Sequence, residues 1–479
     1  MPAEVRTLDW SFDPQEALRR WPLDRPVALL HSGRAHPRWA RRSLLAGPSL
    51  GYRFVETSPG VGESRWVGPG SPPAQVGALS HRPFADLRAL LKAPGLWVGY
   101  LSYDLGRWIE GLPRSAAADR RWPIVDLRYC PWWLEHDAAS GRWTLHGEAG
   151  ADGPPDLGAM GALRAREDEG AFEAGDPVSL FEPEAYRGAV QACIDAISRG
   201  DAFQINLAQR FTAGFRGPWP AAARDLYLAL SGVSPAWYGA HLELADEADG
   251  RQPHRALLST SPELFLEVGD DGEVITRPIK GTRPASCPAQ ELLESGKDQA
   301  ELNMIVDLMR NDLGRVCDYG SVRVTHAREI ESHPTVHHGV ATISGRLHAS
   351  HDLADLLRAT LPPGSVTGAP KVQAMRVIEE LEPARRGPYC GVLGWLRGER
   401  ACLSVAIRTL LVETAPPLIP GSPLRWDDPA GIEESGRVDF SVGGGVTAES
   451  GPALEHQETL DKAAAAMAAL RRGAKRIPS

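Results

Sequence analysis

After residue 179 the hydrophobic spacing changes period repeatedly, and that alternation bounds the folds open to this chain. PEAYRGAVQACIDAISRGD (183–201) puts Tyr186, Val190, Ile194 and Ile197 on one helical face and stops at Gly200. FQINLAQRFT then alternates with the period of a strand. LLSTSPELFLEVGDDGEVITRPIKGT (257–282) predicts a hairpin, with DDG as the turn between two β-rich runs. KDQAELNMIVDLMRNDLGRVC is a long amphipathic helix, and APKVQAMRVIEELEP is another, opened by Pro370. CGVLGWLRG, ACLSVAIRTLLVE and VDFSVGGGVT read as strands, and EHQETLDKAAAAMAALRR as a final helix. No regular βαβ beat runs through them. The class is therefore α/β, in the α+β sense, with sizeable antiparallel pairing.

Residues 1–140 read as short strands and turns, with VALLHSG (27–33) and LWVGYLSYDLG (96–106) as the clearest strands. Residues 141–178 are rich in Gly, Ala, Asp and Glu and form a long connection, ahead of a third part at 179–475. A net charge of −9 argues against a nucleic-acid surface, which needs a basic stripe, but leaves room for a small anion beside local cations. The six cysteines are scattered without CxxC or His/Cys spacing, which fits a reduced compartment. The N-terminus lacks an apolar signal region, and no apolar run approaches the roughly 18 residues that span a bilayer. A cytoplasmic protein with no membrane or nucleic-acid partner is expected.

Five features carry chemistry. Asp298 and Glu301 lie three residues apart on the long helix, and Glu455 and Glu458 repeat the spacing on the last one. Such pairs are ordinarily solvated helix faces; two of them facing each other suit one hard divalent ion, best Mg²⁺. GSVTGAPK (364–371) is a Gly/Thr loop opening onto a helix, an anion cradle or an ordinary helix entry, without P-loop order. Arg408 and Lys462 are cations set among apolar residues. Lys280 follows Pro278 and Ile279 and precedes Gly281, where a strand ends and the chain bends.

TSPELF, RPIKGTRP, AELNMIVDLMRNDLGRVC, VHHGVATISG, GSVTGAPKVQAMRVIEELEP, RRGPYCGVLGW, AIRTL and GGGVTAES…EHQETLDK resemble, in order, the chorismate-utilising enzymes. The resemblance covers residues 180–470 densely and VALLHSG weakly. It implies two orthogonal antiparallel sheets packed together with helices outside, and an N-terminal segment woven into the same body. It implies Glu301 and Glu458 as direct Mg²⁺ ligands, with Asp298 and Glu455 acting through water. Thr367, Gly368 and Lys462 would surround the ring carboxylate of chorismate. Tyr389, Arg408 and the backbone of Gly443, Gly444 and Gly445 would receive the enolpyruvyl carboxylate.

Two positions choose the branch. Relatives that add water at C2 carry a lysine base where this chain has Gln204, and an amide is no base near neutral pH. Lys280 reads PIKGT, as in aminodeoxychorismate synthases, where anthranilate synthases typically carry a small residue. The expected reaction is amination of chorismate at C4, in p-aminobenzoate and folate biosynthesis. Lys280 is the expected covalent nucleophile, its amine kept neutral by desolvation or by a nearby cation such as Arg277 or Arg283, and Glu263 is the acid. His338 matches the histidine tied to pyruvate loss in the anthranilate branch, but a packed or ring-orienting role serves equally. The alternatives are anthranilate synthase component I and a non-catalytic chorismate-binding subunit.

No cysteine sits in a glutaminase elbow, so ammonia is expected from a separate glutaminase subunit. Ser32, in LLHSG, and Pro235, in SPAWY, are candidates for a tryptophan pocket, the alternative being a plain core strand and loop.

Overall fold

The computed structural model describes residues 4–120, 122–147, 153–162, 172–244, 254–333, 336–414 and 435–473. Parts of the expected 141–178 connection, and residues 426–434 of the acidic segment expected to form a hairpin at 426–440, lie outside them.

Antiparallel ladders build two large sheets, of thirteen and eleven strands. In the first, Ala28–His31 pairs with Tyr238–Leu244, and the order continues through Arg255–Ser261, Thr409–Thr414, Ser435–Val446 and Gln204–Arg216. In the second, Leu96–Leu101 pairs with Val392–Arg397, joining early strands to Arg400–Val405, Leu264–Val268, Glu273–Arg277 and Val336–Arg346. Strands from before residue 150 thus sit in the same two sheets as those from after 200.

The sheets face each other across a core of Ala28, Leu44, Ala240 and Leu257 from the first and Leu96, Val98, Tyr100 and Leu393 from the second. Helices cover the outer faces. Pro452–Arg472 turns Ala463, Ala466 and Ala469 inward against the first sheet, and Gly296–Gly314 turns Leu302, Ile305 and Met309 toward the second. Ser295 caps the latter by accepting from the Asp298 N–H at 3.3 Å. Among the described residues no helix is long and apolar enough to cross a membrane.

Two expectations need correction. The 257–282 stretch is not one hairpin: Arg255–Ser261 belongs to the first sheet, and only Leu264–Val268 and Glu273–Arg277 pair around the DDG turn. Nor is ACLSVAIRTLLVE one strand. It breaks between Arg400–Val405 and Thr409–Thr414, which lie in different sheets, and Arg408 takes φ +50° in the break. Residues buried on both faces leave no periodicity to mark a change of sheet.

A buried ion cluster sits within the second sheet. Asp126 accepts from Arg53 Nε at 2.7 Å and Arg128 Nε at 2.6 Å, and all three residues are buried. Replacing the carboxylate leaves two guanidinium groups without their shared anion, so Asp126→Ala should cost about 3–5 kcal/mol. Urea unfolding measures this; a loss under about 1 kcal/mol would contradict the role assigned to the cluster.

Candidate active site

Two chain crossings between the sheets run side by side. The first, between Ser261 and Leu264, carries Glu263; the second, between Val405 and Thr409, carries Arg408. They are tied by Val405 N–H to Glu263 O, Thr260 N–H to Arg408 O (both 3.0 Å) and Ser261 Oγ to Val405 O at 2.6 Å. Irregular backbone is thereby hydrogen-bonded inside the body, and both functional side chains are held where strands end.

Lys280 is placed by a β-bulge on an edge strand. Ile279 pairs with Val340 and Thr282 with His338, so Lys280 and Gly281 together oppose Gly339 alone. Gly281 has φ +82°, and a Cβ on Gly339 would lie 2.7 Å from Lys280 O. The glycines therefore let the bulge close and turn the lysine inward. Its Nζ lies 3.3 Å from where a Cβ on Gly445 would stand, and Gln204 Nε2 only 2.3 Å from that point. Lys280 and Gln204 thus meet over the same bare glycine.

The glycine run does this because Gly443, Gly444 and Gly445 pair with Ala208, Leu207 and Asn206 on one side and leave the other open. A Cβ on Gly444 would sit 3.0 Å from Glu455 Oε2 and 3.5 Å from Glu458 Oε1. The last helix brings two acids close against the strand at a position that has no side chain. Lys462 Nζ donates to Gly443 O at 2.9 Å and pairs with Glu458 at 2.7 Å. From the opposite helix Glu301 accepts from Gln204 Nε2 at 3.3 Å and lies 3.9 Å from Lys297. Asp298 pairs with Arg283 at 2.6 Å.

Among the described residues no three His, Cys, Asp or Glu side chains converge closely enough to hold an ion. The donor chemistry nonetheless suits a hard divalent cation: Glu455 and Glu458 stand against Gly444, where no Cβ intervenes, and the charges of Glu301 and Glu458 act on each other. The counter-charges of Glu301 and Glu458, Lys297 and Lys462, are half-exposed, and such pairs are worth about 0–1 kcal/mol.

Arg408 forms no ion pair among the described residues; its Nη2 lies 3.2 Å from His338 Nε2, and burial lowers it to about 10. A guanidinium only donates, so His338 Nε2 must accept, and its Nδ1–H donates to Thr282 Oγ1 at 2.9 Å. Burial, then Arg408, hold His338 well below the usual imidazole range, so the ring is neutral. Thr367 and Gly368 adjoin Gln204 through backbone: Asn206 N–H donates to Thr367 O, and Gly368 pairs with Ile205. The Thr367 hydroxyl is spent on Pro363 O and Gly364 O, both at 3.2 Å. Tyr389 is buried beside Cys390 and Arg386 and lines a small cavity with Arg210, Phe440 and Ser441. No hydrogen bond joins it to Arg408.

The residues matched by the family model for chorismate binding enzyme run from 72 to 468. The chain belongs to that family. It is 36% identical to aminodeoxychorismate synthase component 1 of Salmonella typhimurium, over 96% of each chain. It is 33% identical to anthranilate synthase component 1 1 of Haloarcula marismortui, over 87% of this chain and 88% of that one. Anthranilate synthase component I from Streptococcus pneumoniae superposes with a TM-score of 0.67 at 26% identity, over 91% of this chain and 93% of that one.

For a chorismate-binding chain the electrostatics are the informative part. Burial lowers Lys280, joined by the charge of Lys462 and opposed by Glu301, Glu263 and Glu458. The expected helpers, Arg277 and Arg283, are occupied elsewhere, by Glu331 and Asp298. Burial raises Glu263 to about 7, against the pull of Ser365, Lys280 and the Ile279 N–H. Burial also raises Glu301 and Glu455, whereas at Glu458 burial is outweighed by Lys462, Lys280 and Lys297 together, which hold that carboxyl low. Sequence reasoning missed Thr282, Ser365, and the Arg386 guanidinium that clamps Asn206 O and Val366 O while paired with Glu382. Arg386 stands within the RRGPYCG motif, which was the available signal.

A separate cleft of about 830 Å³ is lined by Ser32, Trp39, Trp237, Tyr238 and Trp395, and by none of Lys280, Glu263 or the helix acids. Pro235 does not line it.

Glu263 yields a stability test. Its folded carboxyl holds a proton more tightly than the unfolded value of 4.5, so its contribution is complete below about 4.5 and is lost as pH rises through about 7. Glu263→Gln removes that loss, which is at most on the order of 3 kcal/mol. The variant should gain thermal stability over the parent at pH 8 but not at pH 4.5. An equal difference at both values would contradict a raised carboxyl.

Proposed function

We propose that this chain is the synthase component that aminates chorismate to 4-amino-4-deoxychorismate, on the route to p-aminobenzoate and folate. The observation that carries this reading is the opposite perturbation of two neighbours: burial moves Lys280 toward the neutral amine and Glu263 toward the protonated acid. Those are the forms that an attack with loss of hydroxide requires. A lysine in its ordinary range leaves about one molecule in a thousand as free amine near neutral pH.

Arg408, with His338 fixed as its partner, Tyr389 and the donors at Gly443–Gly445 receive the enolpyruvyl carboxylate. Lys462, Thr367 and Gly368 border the ring carboxylate. Mg²⁺, held directly by Glu301 and Glu458 and through water by Asp298 and Glu455, would supply the positive charge against which that carboxylate binds. The Lys280 amine bonds to ring C2, both ring double bonds shift toward C4, and the C4–O bond breaks. Glu263 protonates the departing hydroxyl, which leaves as water, and its carboxylate then takes the proton that the new C2–N bond releases. Ammonia bonds to C4, both ring double bonds shift back, and the C2–N bond breaks. Lys280 leaves as the amine, receiving the proton shed by the incoming nitrogen. The balance is chorismate plus ammonia to aminodeoxychorismate plus water.

The component naming of the Salmonella typhimurium relative supports a separate glutaminase subunit as the source of ammonia. We read residues 1–140 and 179–475 as one functional body joined by 141–178, and the protein as cytoplasmic. The 830 Å³ cleft, with Ser32 and the unpartnered indole N–H of Trp237, is read as a tryptophan pocket that equilibrium dialysis tests. Amination at C2 with pyruvate loss is the competing reading, favoured by the Haloarcula marismortui relative. Lys280 opposes it by filling the space over Gly445.

Incubation with chorismate, ammonium and Mg²⁺, with products identified by mass, decides between them. The 4-amino product should dominate, and kcat/KM should fall as pH rises through about 7, where Glu263 loses its proton. Lys280→Ala should lose at least about 100-fold in turnover while staying folded. Anthranilate as the main product, or full turnover without Lys280, would contradict the proposal.

A further inference from the structure

His338 is held on its polar edges by Arg408 and Thr282, but hydrogen bonds at two nitrogens leave the ring free to rock about the line joining them. A second histidine packs against it. His333 packs edge-to-face against His338, with ring centroids 5.4 Å apart at 63°. Its other side rests on Trp237 at 5.1 Å and 53°. His333 is buried, 7% exposed, yet its Nε2 has no hydrogen-bond partner and stands 3.7 Å from Glu331. A buried ring with an unsatisfied nitrogen is a costly choice for filling space, since phenylalanine fills it without the loss.

Trp237 is itself fixed. His36 packs on it at 4.7 Å, and the guanidinium of Arg277 lies 4.2 Å over Trp39 and 5.9 Å from Trp237 while paired with Glu331. The stack therefore runs from a rigid aromatic wall through His333 to His338 and then to Arg408. Aromatic pairs at such separations are directional, and a tilted neighbour sets the tilt of the next.

We propose that His333 is a positioning residue for substrate binding: wedged against Trp237, it fixes the plane of His338 and thereby aims Arg408 at the chorismate side-chain carboxylate. It touches no substrate. The inference rests on the reading of Arg408 as a carboxylate anchor, and the aromatic ring, not charge, does the positioning.

The test measures chorismate affinity and steady-state kinetics of the full chain with Mg²⁺ and ammonium. His333→Ala should raise KM for chorismate about 5- to 20-fold with a smaller change in kcat, and His333→Phe should recover most of the loss. His338→Ala alone should weaken binding, and adding His333→Ala to it should cost less than 2-fold more, because the wedge then has nothing to hold. An unchanged KM in a folded His333→Ala protein, or independent effects that multiply in the double variant, overturns the inference. If His333→Ala fails to fold, His333→Phe and Trp237→Phe carry the same comparison: native KM in the first and a raised KM in the second support the wedge, and the reverse overturns it. Wild-type protein that consumes no chorismate would instead count against the proposed activity, while calorimetric affinities for chorismate would still decide the role of His333.

Discussion

The Glu263 carbonyl and the Arg408 carbonyl each accept a backbone N–H from the other crossover, from Val405 and Thr260. That reciprocal pair is the constraint on which the site depends. Where a chain leaves one sheet for another it gives up its ladder partners, and two such departures side by side can satisfy each other. The exchange fixes an acid and a cation at the junction of both sheets. The Lys280 bulge, the glycine strand and the two acidic helices then close around them.

Enclosure decides the chemistry. Two or three carboxylates near a lysine normally stabilise its ammonium form, and Glu301, Glu263 and Glu458 pull in that direction. They lose because burial, reinforced by Lys462, disfavours a further charge more strongly than the acids favour it. The same burial acts on Glu263 with the opposite result in charge and the same result in form: both groups move toward neutrality. One physical cause thus accounts for both protonation states that the proposed reaction requires. Gly444 and Gly445 permit this by withholding side chains where carboxylates and amine must approach.

Much of this was legible in the residues. The helices at 183–198, 296–314, 371–381 and 452–472 followed from apolar period and caps. The motifs around Lys280, Glu301 and Glu458 carried the family. The two sheet crossings were not legible, because strands buried on both faces look alike whichever sheet they join. Nor could spacing reveal that Lys462 is the cation beside Lys280, since 182 positions separate them and only the glycine strand brings them to one place. Thr282 was in plain view in PIKGT, but its use became clear only from the strand register that sets it opposite His338.

The most direct measurement is the protonation of Lys280 itself. Labelling of lysine amines with an acylating reagent across pH, read residue by residue by mass spectrometry, gives the pH at which each becomes reactive. Lys280 should react as free amine below its ordinary 10.5, ahead of the lysines exposed to solvent. A Lys280 that titrates with the exposed lysines would mean that burial does not neutralise it, and the account of this site would fail.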